Sequence, residues 1–465
     1  MPEFEPLYTA DEMRDAEAGF PNYPDSAPEL MERAGATAAR VALQVFHGTD
    51  RWTVVCGGGA NGGDGRVIAR HLEDAGRQVR IVDAKAGDAE LGEPQAIVDA
   101  LFGTGFSGAP RPDAGALIER INASDAPVLS VDVPSGVDAS TGEVPGVAVR
   151  ADETVTFHGR KLGLVVAPGR FHAGHLHVAD IGLEETETGA RFALPALLRL
   201  VPRRRDGDNK YTAGHVLVIG GSRGLTGAPS LTALAAMRAD AGYVTVAAPE
   251  STMHVFEQRL LEAVKRPLPD ERGLVSEQAA DVALELSEKA GAVALGPGLG
   301  RGPGPRALVR RLLAELELPV VVDADALFEL EPADWPGPRV LTPHEGELAR
   351  LLGRESHEVA AHRLASVREA VERFGCVVVL KGPDTLVAAP ESALLVSSLG
   401  LPSLATAGTG DVFTGIVAAF LAKGLDPQLA ATAAAAAQQR ASVEAPQRTG
   451  LVASDLIEAL PRALA

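Results

Sequence analysis

The run Val54-Val55-Cys56-Gly57-Gly58-Gly59-Ala60-Asn61-Gly62-Gly63-Asp64-Gly65 passes from apolar residues into a glycine-rich turn and on into an amphipathic stretch. A strand signal that ends in glycines and feeds a helix is the opening of a βαβ unit. Gly57, Gly59 and Gly62 have the G-x-G-x-x-G spacing, and Asp83 follows about twenty residues later, which completes the dinucleotide fingerprint. Gly103, Gly105 and Gly108 repeat the spacing, so the pattern is weak by itself. Asp64 puts a carboxylate where the helix N-terminus would face pyrophosphate. A carboxylate there satisfies the helix dipole and repels phosphate, which suits a hydroxyl or a cation better.

Outward from this run the alternation continues. Apolar runs at 51–56, 78–82, 96–101, 127–133 and 153–157 predict strands, and 64–75 and 113–123 predict helices between them. Residues 9–18 predict an earlier helix, with Thr9 and Glu12 spaced as a capping box, and 28–42 predict another. The pattern fades between about Leu183 and Asp208, where a domain boundary is expected. It then restarts. Strands are expected at 215–219, 243–247, 292–295, 320–322, 339–342, 377–380 and 386–388. Helices are expected at 229–241, 305–317, 357–373, 411–423 and 427–444. The alanine tract 430–437 reads as a packed helix, alanine being the best helix former. Strands alternating with helices predict an α/β protein, two three-layer α/β/α domains over residues 1–190 and 195–465, the first Rossmann-like.

Composition agrees. The chain has 465 residues, 46% hydrophobic and 23% charged, with 50 glycines and 32 prolines. Its net charge of −19 gives little attraction for phosphate backbones, which argues against nucleic-acid binding. The basic run Arg203–Arg205 reads as a solvated connector. No apolar run reaches the roughly 18 residues needed to span a membrane, and no secretory signal is expected. Two cysteines, Cys56 and Cys376, give no disulfide framework, so a cytoplasmic setting is expected. A homo-oligomer is expected, of a size the residues do not give.

In open α/β sheets ligands bind beyond the carboxyl ends of strands. In the first half those ends carry Asn61, Asp99, Asp132 and Ser135, and Asn61, Asp99 and Ser135 are hard oxygen donors suited to a cation. In the second half no G-x-x-x-x-G-K-[ST] loop occurs. Instead Gly408-Thr409-Gly410-Asp411 precedes the apolar stretch 412–421. Glycines there leave backbone amides open to phosphate, and Asp411 is poised to take a proton from an attacking hydroxyl.

Residues 57–65, 69–72, 99–105 and 131–138, with Leu30–Gly35, Lys161-Leu162-Gly163 and Ala173-Gly174, resemble the N-terminal domain of the NAD(P)HX epimerases over roughly 7–183. Gly220-Gly221-Ser222, Gly296-Pro297-Gly298-Leu299-Gly300, Thr342-Pro343-His344-Glu345-Gly346-Glu347, Lys381-Gly382 and Gly408–Asp411 resemble, in order, the ADP-dependent NAD(P)HX dehydratases of the ribokinase-like superfamily, over roughly 195–465. The first resemblance implies hydrate contacts by Ala60, Asn61, Gly62, Gly63, Asp64, Gly103, Thr104, Gly105, Phe106, Ser107, Gly108, Ala109 and Asp132, with Asp132 as acid/base. It also implies a potassium ion on Asn61, Asp99 and Ser135. Ala60 stands where that family has asparagine. The second implies hydrate contacts by Ala228, Gly298, His344 and Asp411, with Asp411 as base. It implies ADP contacts by Lys381, Gly382, Pro383, Asp384, Thr385, Gly408, Thr409 and Gly410, and magnesium through water at Glu347. Phe328 stands where asparagine is common. The function implied is repair of NADHX and NADPHX by epimerisation and ADP-driven dehydration, with Mg2+ and K+. The same second-half residues also allow a kinase for a small alcohol or vitamin precursor, with a nucleotide-binding first domain. Gly57–Gly62 alone allow a redox dehydrogenase.

Overall fold

The computed structural model describes residues 2–84 and 90–465. The chain divides into two compact units. One is Pro6–Arg191 with Ala360–His362; the other is chiefly Phe192–Val359 and Arg363–Ala465.

Six strands of the first unit, in chain order, are Arg51–Cys56, Gln78–Asp83, Ala96–Ala100, Val128–Val131, Glu153–Phe157 and His175–Ala179. They form one parallel sheet in the spatial order second, first, third, fourth, fifth, sixth. Val54, Val55 and Cys56 are fully buried, as central strands covered on both faces must be. Helices Ala27–Val45 and Ala60–Asp74 set Leu30, Ala38, Ile68 and Leu72 against Val54, Val98 and Leu129 on one face. Helix Pro112–Ala123 sets Leu117, Ile118 and Ile121 against Val55 and Ile97 on the other. The fold is Rossmann-like. The order of strand addition reverses between the strands 51–56 and 96–100, and their carboxyl ends open a crevice between diverging loops.

Helix Ala60–Asp74 starts earlier than the expected 64–75. A Cβ on Gly62 would sit 1.9 Å from the Gly57 carbonyl oxygen, so glycine alone lets the first turn fold back on the strand end. Asp64 therefore lies in the second turn and not at the helix start, which corrects the expected position opposite a pyrophosphate. The capping box at Thr9 and Glu12 is present on helix Ala10–Ala18.

In the second unit the sheet runs, from its edge, Val264–Leu268, Tyr243–Pro249, His215–Ile219, Ala292–Leu295, Val320–Val322, Arg339–Leu341, Val377–Leu380, Thr385–Ala388 and Leu394–Ser397. The pairs up to Val377–Leu380 are parallel; the last two are antiparallel. This is a ribokinase-like α/β/α architecture. Helices Gly227–Arg238, Thr409–Ala422 and Pro427–Glu444 share one core. Every residue from Val412 to Leu421 is buried, and so is every alanine from Ala430 to Ala437. Small side chains let that helix lie close to its neighbours. The helix expected over 357–373 is two, Ser356–Ala361 and Arg363–Phe374, and Arg363, 1% exposed, turns inward after the break.

Both cysteines are free and buried; burial pushes the thiol of Cys56 up to about 11 and that of Cys376 to about 12. Among the described residues no helix is long and apolar enough to cross a membrane.

Candidate functional site

A cavity of about 480 Å³ opens at the switch point of the first sheet. Its floor is the glycine turn with Ala60, Asn61 and Asp64. One wall is Leu101–Phe106, which includes Gly103, Thr104 and Gly105. Asp132, Phe157 and Lys161 arrive from later strand ends, and Met13, Glu17, Leu30 and Met31 from the leading helices. Gly62 and Gly63 lie behind the lining, inside the helix; a Cβ on Gly63 would come within 2.5 Å of Met31. Ser107, Gly108 and Ala109 are exposed on the loop beyond.

Asp132 ends its strand in the left-handed region at φ 68°. Its Oδ1 is 2.8 Å from Lys161 Nζ, and its Oδ2 accepts the Thr104 amide at 3.1 Å. Lys161 is fully buried, and its Nζ also donates to the Phe157 carbonyl at 2.7 Å. The lysine is placed by pairing of Leu7 and Tyr8 with Arg160 and Lys161. Burial, then the nearby charges of Asp132 and Glu17, push Asp64 up to about 8. Glu17 is raised too, by burial and then by Asp132. The cavity thus combines an acid that burial holds well above the usual carboxylate range with an ion-paired carboxylate.

The three expected cation ligands come together, in unequal roles. Asp99 is fully buried. Its oxygens accept from Ser135 Oγ at 2.6 Å, the Ser135 amide at 2.9 Å, Ser130 Oγ at 2.8 Å and the Leu101 amide at 3.3 Å. Burial raises its pKa although these bonds pull the other way. Asn61 Nδ2 donates to the carbonyls of Phe102 at 2.7 Å and Val131 at 3.2 Å. Ser135 Oγ lies 3.4 Å from the same Phe102 oxygen. Turning the Asn61 amide over would present its oxygen beside those two carbonyls and the Ser135 hydroxyl. That all-oxygen set fits a hard cation. Asp99 holds Ser135 and has little lone-pair capacity left. The two carbonyls were absent from the sequence reading, because main-chain donors leave no side-chain signal.

In the second unit Gly408, at φ 90°, caps helix Thr409–Ala422. Thr409 is tied by its hydroxyl to the Leu404 and Thr406 carbonyls. Gly410 and Asp411 follow in the first turn, where backbone amides have no intrahelical acceptor. A Cβ on Gly410 would be 3.4 Å from Lys381 Nζ, so the ammonium lies against this turn. Lys381 Nζ is 2.7 Å from Asp323 Oδ1. Asp323, 2% exposed, also accepts from Thr342 Oγ1 at 2.8 Å and Thr414 Oγ1 at 2.7 Å. Burial works against the Lys381 charge, but Asp323, Glu347 and Asp411 together hold its pKa above the ordinary value. Burial, then Asp323, push Asp411 up to about 7, against the pull of Lys381.

His344 caps helix Glu345–Leu352. Its Nδ1 accepts the Gly346 amide at 3.0 Å, and its own amide donates to Glu347 Oε2 at 2.9 Å. With Nδ1 an acceptor, the neutral ring carries its proton on Nε2. A bridge pairs His344 with Lys381. Gly298 and Ala228 are neighbours: a Cβ on Gly298 would lie 3.4 Å from that of Ala228. Gly382 and Pro383 form the turn ahead of Thr385, which opens its strand half-buried. Asp384 is fully buried, and Arg363 approaches its carboxylate at 3.3 Å and its carbonyl at 2.9 Å. Its side chain is thus engaged inside the fold. Arg363 also binds Glu345.

Lys161, Glu17 and Arg363 were not among the expected site residues. Asp323 closes the strand expected at 320–322, where the strand-end rule points, though the sequence alone assigns it no role. Glu17 comes from a leading helix, and Arg363 lay inside a helix expected to be continuous.

Residues 216–462 match a family model described as NAD(P)H-hydrate dehydratase, and residues 27–89 and 81–163 match one described as YjeF-related protein N-terminus. A bifunctional NAD(P)H-hydrate repair enzyme Nnr from Moorella thermoacetica is 37% identical over 94% of this chain and 92% of its own. One of the same name from Escherichia coli is 36% identical over 93% and 89%. The crystal structure of an ADP/ATP-dependent NAD(P)H-hydrate dehydratase from Bacillus subtilis, co-crystallised with ATP and Mg2+, is 30% identical. It covers 57% of this chain and 94% of its own, with a TM-score of 0.52. Likeness that runs through both units at once, and not through one alone, assigns the whole chain: it belongs to the family of bifunctional NAD(P)H-hydrate repair enzymes.

Proposed function

We propose that the first unit epimerises the R and S hydrates of NADH and NADPH, and that the second dehydrates the S hydrate with ADP. The observation that carries the reading is Asp411: a carboxyl held at about 7, in the first turn of a glycine-opened helix, beside Lys381.

Hydroxide is a poor leaving group. The hydrate hydroxyl attacks the terminal phosphorus of ADP and its proton passes to Asp411. AMP departs, the ring nitrogen lone pair expels phosphate, and loss of a ring proton restores the double bond. Positioning and charge stabilisation do most of the work in such transfers. The amides of Gly410 and Asp411 supply about 3–4 kcal/mol to the developing charge, and Lys381 adds its cation. His344 Nε2–H, Gly298 and Ala228 contact the hydrate. The nucleotide lies along Lys381–Thr385 and Gly408–Gly410, with Asp384 contributing main chain. Mg2+ would screen the phosphates; Glu347, whose Oε2 is used in the cap and whose Oε1 lies 3.6 Å from His344 Nε2, would reach it through water.

In the first cavity Asp132, oriented by Lys161, takes and returns the proton as the ring carbon beside nitrogen changes hand, and Asp64 is the donor nearby. The carbonyls of Phe102 and Val131, Asn61 and Ser135 would hold K+ there, and the ion would supply positive charge to the cavity. The reading includes a cytoplasmic setting and a homo-oligomeric state, the latter measurable by light scattering.

The test is a mixed R/S hydrate with ADP, Mg2+ and K+. Complete recovery of NADH supports both activities. Recovery that stops when one epimer is used up removes the epimerase. A phosphorylated alcohol that accumulates would favour a small-molecule kinase.

A further inference from the structure

One cluster of ligating side chains stands outside both clefts. Strand His175–Ala179 is the outer strand of the first unit's sheet. It pairs in parallel with Glu153–Phe157, with Glu153 opposite His175 and Val155 opposite His177. Alternate residues of a strand point to one face, so the two histidines rise together with Glu153 beside them. The imidazole centroids are 4.8 Å apart with planes at 82°. His177 Nε2 and Glu153 Oε2 are 2.7 Å apart. One ligand atom from each of the three side chains lies within 4.8 Å of the others, and among the described residues no other three His, Cys, Asp or Glu side chains converge so closely.

We propose that Glu153, His175 and His177 form a binding site for a divalent first-row transition ion, with Zn2+ as the reference case. Two imidazoles and one carboxylate select borderline ions such as Zn2+, Cu2+ or Ni2+; Mg2+ and K+ prefer all-oxygen sets. The donors of a tetrahedral zinc site are roughly 3.3 Å apart, given bonds of about 2.0–2.2 Å. The His177–Glu153 pair, hydrogen-bonded at 2.7 Å, needs to open by only about 0.6 Å to reach that spacing. The third ligand needs to close by about 1.5 Å at most, within reach of a side-chain rotation of the exposed His175.

The backbone beneath is fixed. The His175 amide donates to the Asp152 carbonyl at 2.8 Å, and Thr154 Oγ1 donates to the Ala173 carbonyl at 2.6 Å, which holds the turn just before the strand. His177 and Glu153 are 26% and 22% exposed, so two ligands are preset while His175 completes the site from the solvent side and leaves a position for water. A bound ion would tie the outer strand to its neighbour. Ile181, two residues past the strand, lines the switch-point cavity, so the tie would steady that wall.

The experiment titrates the full-length, untagged protein with Zn2+ against a chromophoric chelator, with Mg2+ and K+ in excess to fill the oxygen sites. The expected result is one equivalent of Zn2+ taken from the chelator. His175→Ala should weaken it by at least about 10- to 100-fold, the loss typical when only an outer partner of a metal ligand is removed. Glu153→Gln should weaken it too, and the double variant H175A/H177A should abolish it. Substituting Co2+ should give a visible absorption band that the double variant lacks, with an unchanged circular dichroism spectrum showing that the variant is folded. Binding as tight in His175→Ala as in the parent protein overturns the proposal. So does a parent protein that takes no Zn2+ from the chelator, or loss of the equivalent on His344→Ala in place of His175→Ala.

Discussion

Asp411 and Asp64 stand far above the usual carboxylate range for the same two reasons: lost water first, a second carboxylate next. The consequences differ. A base must be deprotonated to act, so dehydration should rise with pH through about 7 and level off above it. Asp411→Asn should remove that limb and lower turnover at least ~100-fold, measured by NADH recovery from the pure S hydrate. For Asp64 the readout is stability. Its folded pKa of about 8 lies above an unfolded value near 4, so the folded state holds its proton more tightly. The stability this lends is complete below about pH 4 and is lost as pH rises toward 8. Asp64→Asn should therefore raise the unfolding free energy, read from urea titration, by on the order of 1–3 kcal/mol above pH ~8, and change it little in acid.

At the scale of elements, glycine contacts set where helices begin. Gly62→Ala would drive a methyl group into the Gly57 carbonyl and dislodge helix Ala60–Asp74 from its strand. Epimerisation should fall to background in that variant while ADP-driven dehydration persists. In the second unit Ile416 is fully buried on a helix covered all round, and Ile416→Ala should cost about 2–5 kcal/mol in denaturant unfolding. Such central elements were legible in the sequence: 51–56, 153–157, 215–219, 292–295, 320–322, 377–380 and 427–444 have the expected bounds. Most of these strands are near-continuous apolar runs, as burial on both faces demands, and such runs are easy to read. Val264–Leu268 was not legible, because an edge strand tolerates Lys265, Arg266 and Pro267. His175–Ala179 escaped for the same reason, with two histidines on an outer strand. The candidate sites were legible where side chains close a strand, as with Asp99, Asp132 and Lys381. They were hidden where main-chain oxygens or a helix break do the positioning, as with Phe102, Val131 and Arg363.

At the scale of the molecule, the two compact units keep their acid–base groups to themselves: Asp132 with Lys161 in one, Asp411 with Lys381 and Asp323 in the other. Lys161→Met should therefore abolish R-to-S exchange and leave S-hydrate dehydration near its parent rate. With mixed hydrate the variant should stall once the S form is spent, as chromatography of the residual epimers would show. A joint loss would mean that the two chemistries depend on each other.

Within the second unit, Arg363 joins two loops that sequence alone leaves far apart. One end of its guanidinium grips Glu345, next to His344; the other grips Asp384, in the turn that leads to Thr385. A single rigid fork thus sets the gauge between His344 and the turn ahead of Thr385, the places proposed above for hydrate and nucleotide. On that proposal, seating either guest should tighten the frame around the other, so that each favours its companion. Arg363→Lys keeps the charge and loses the fork; the apparent affinities for both substrates should slacken together.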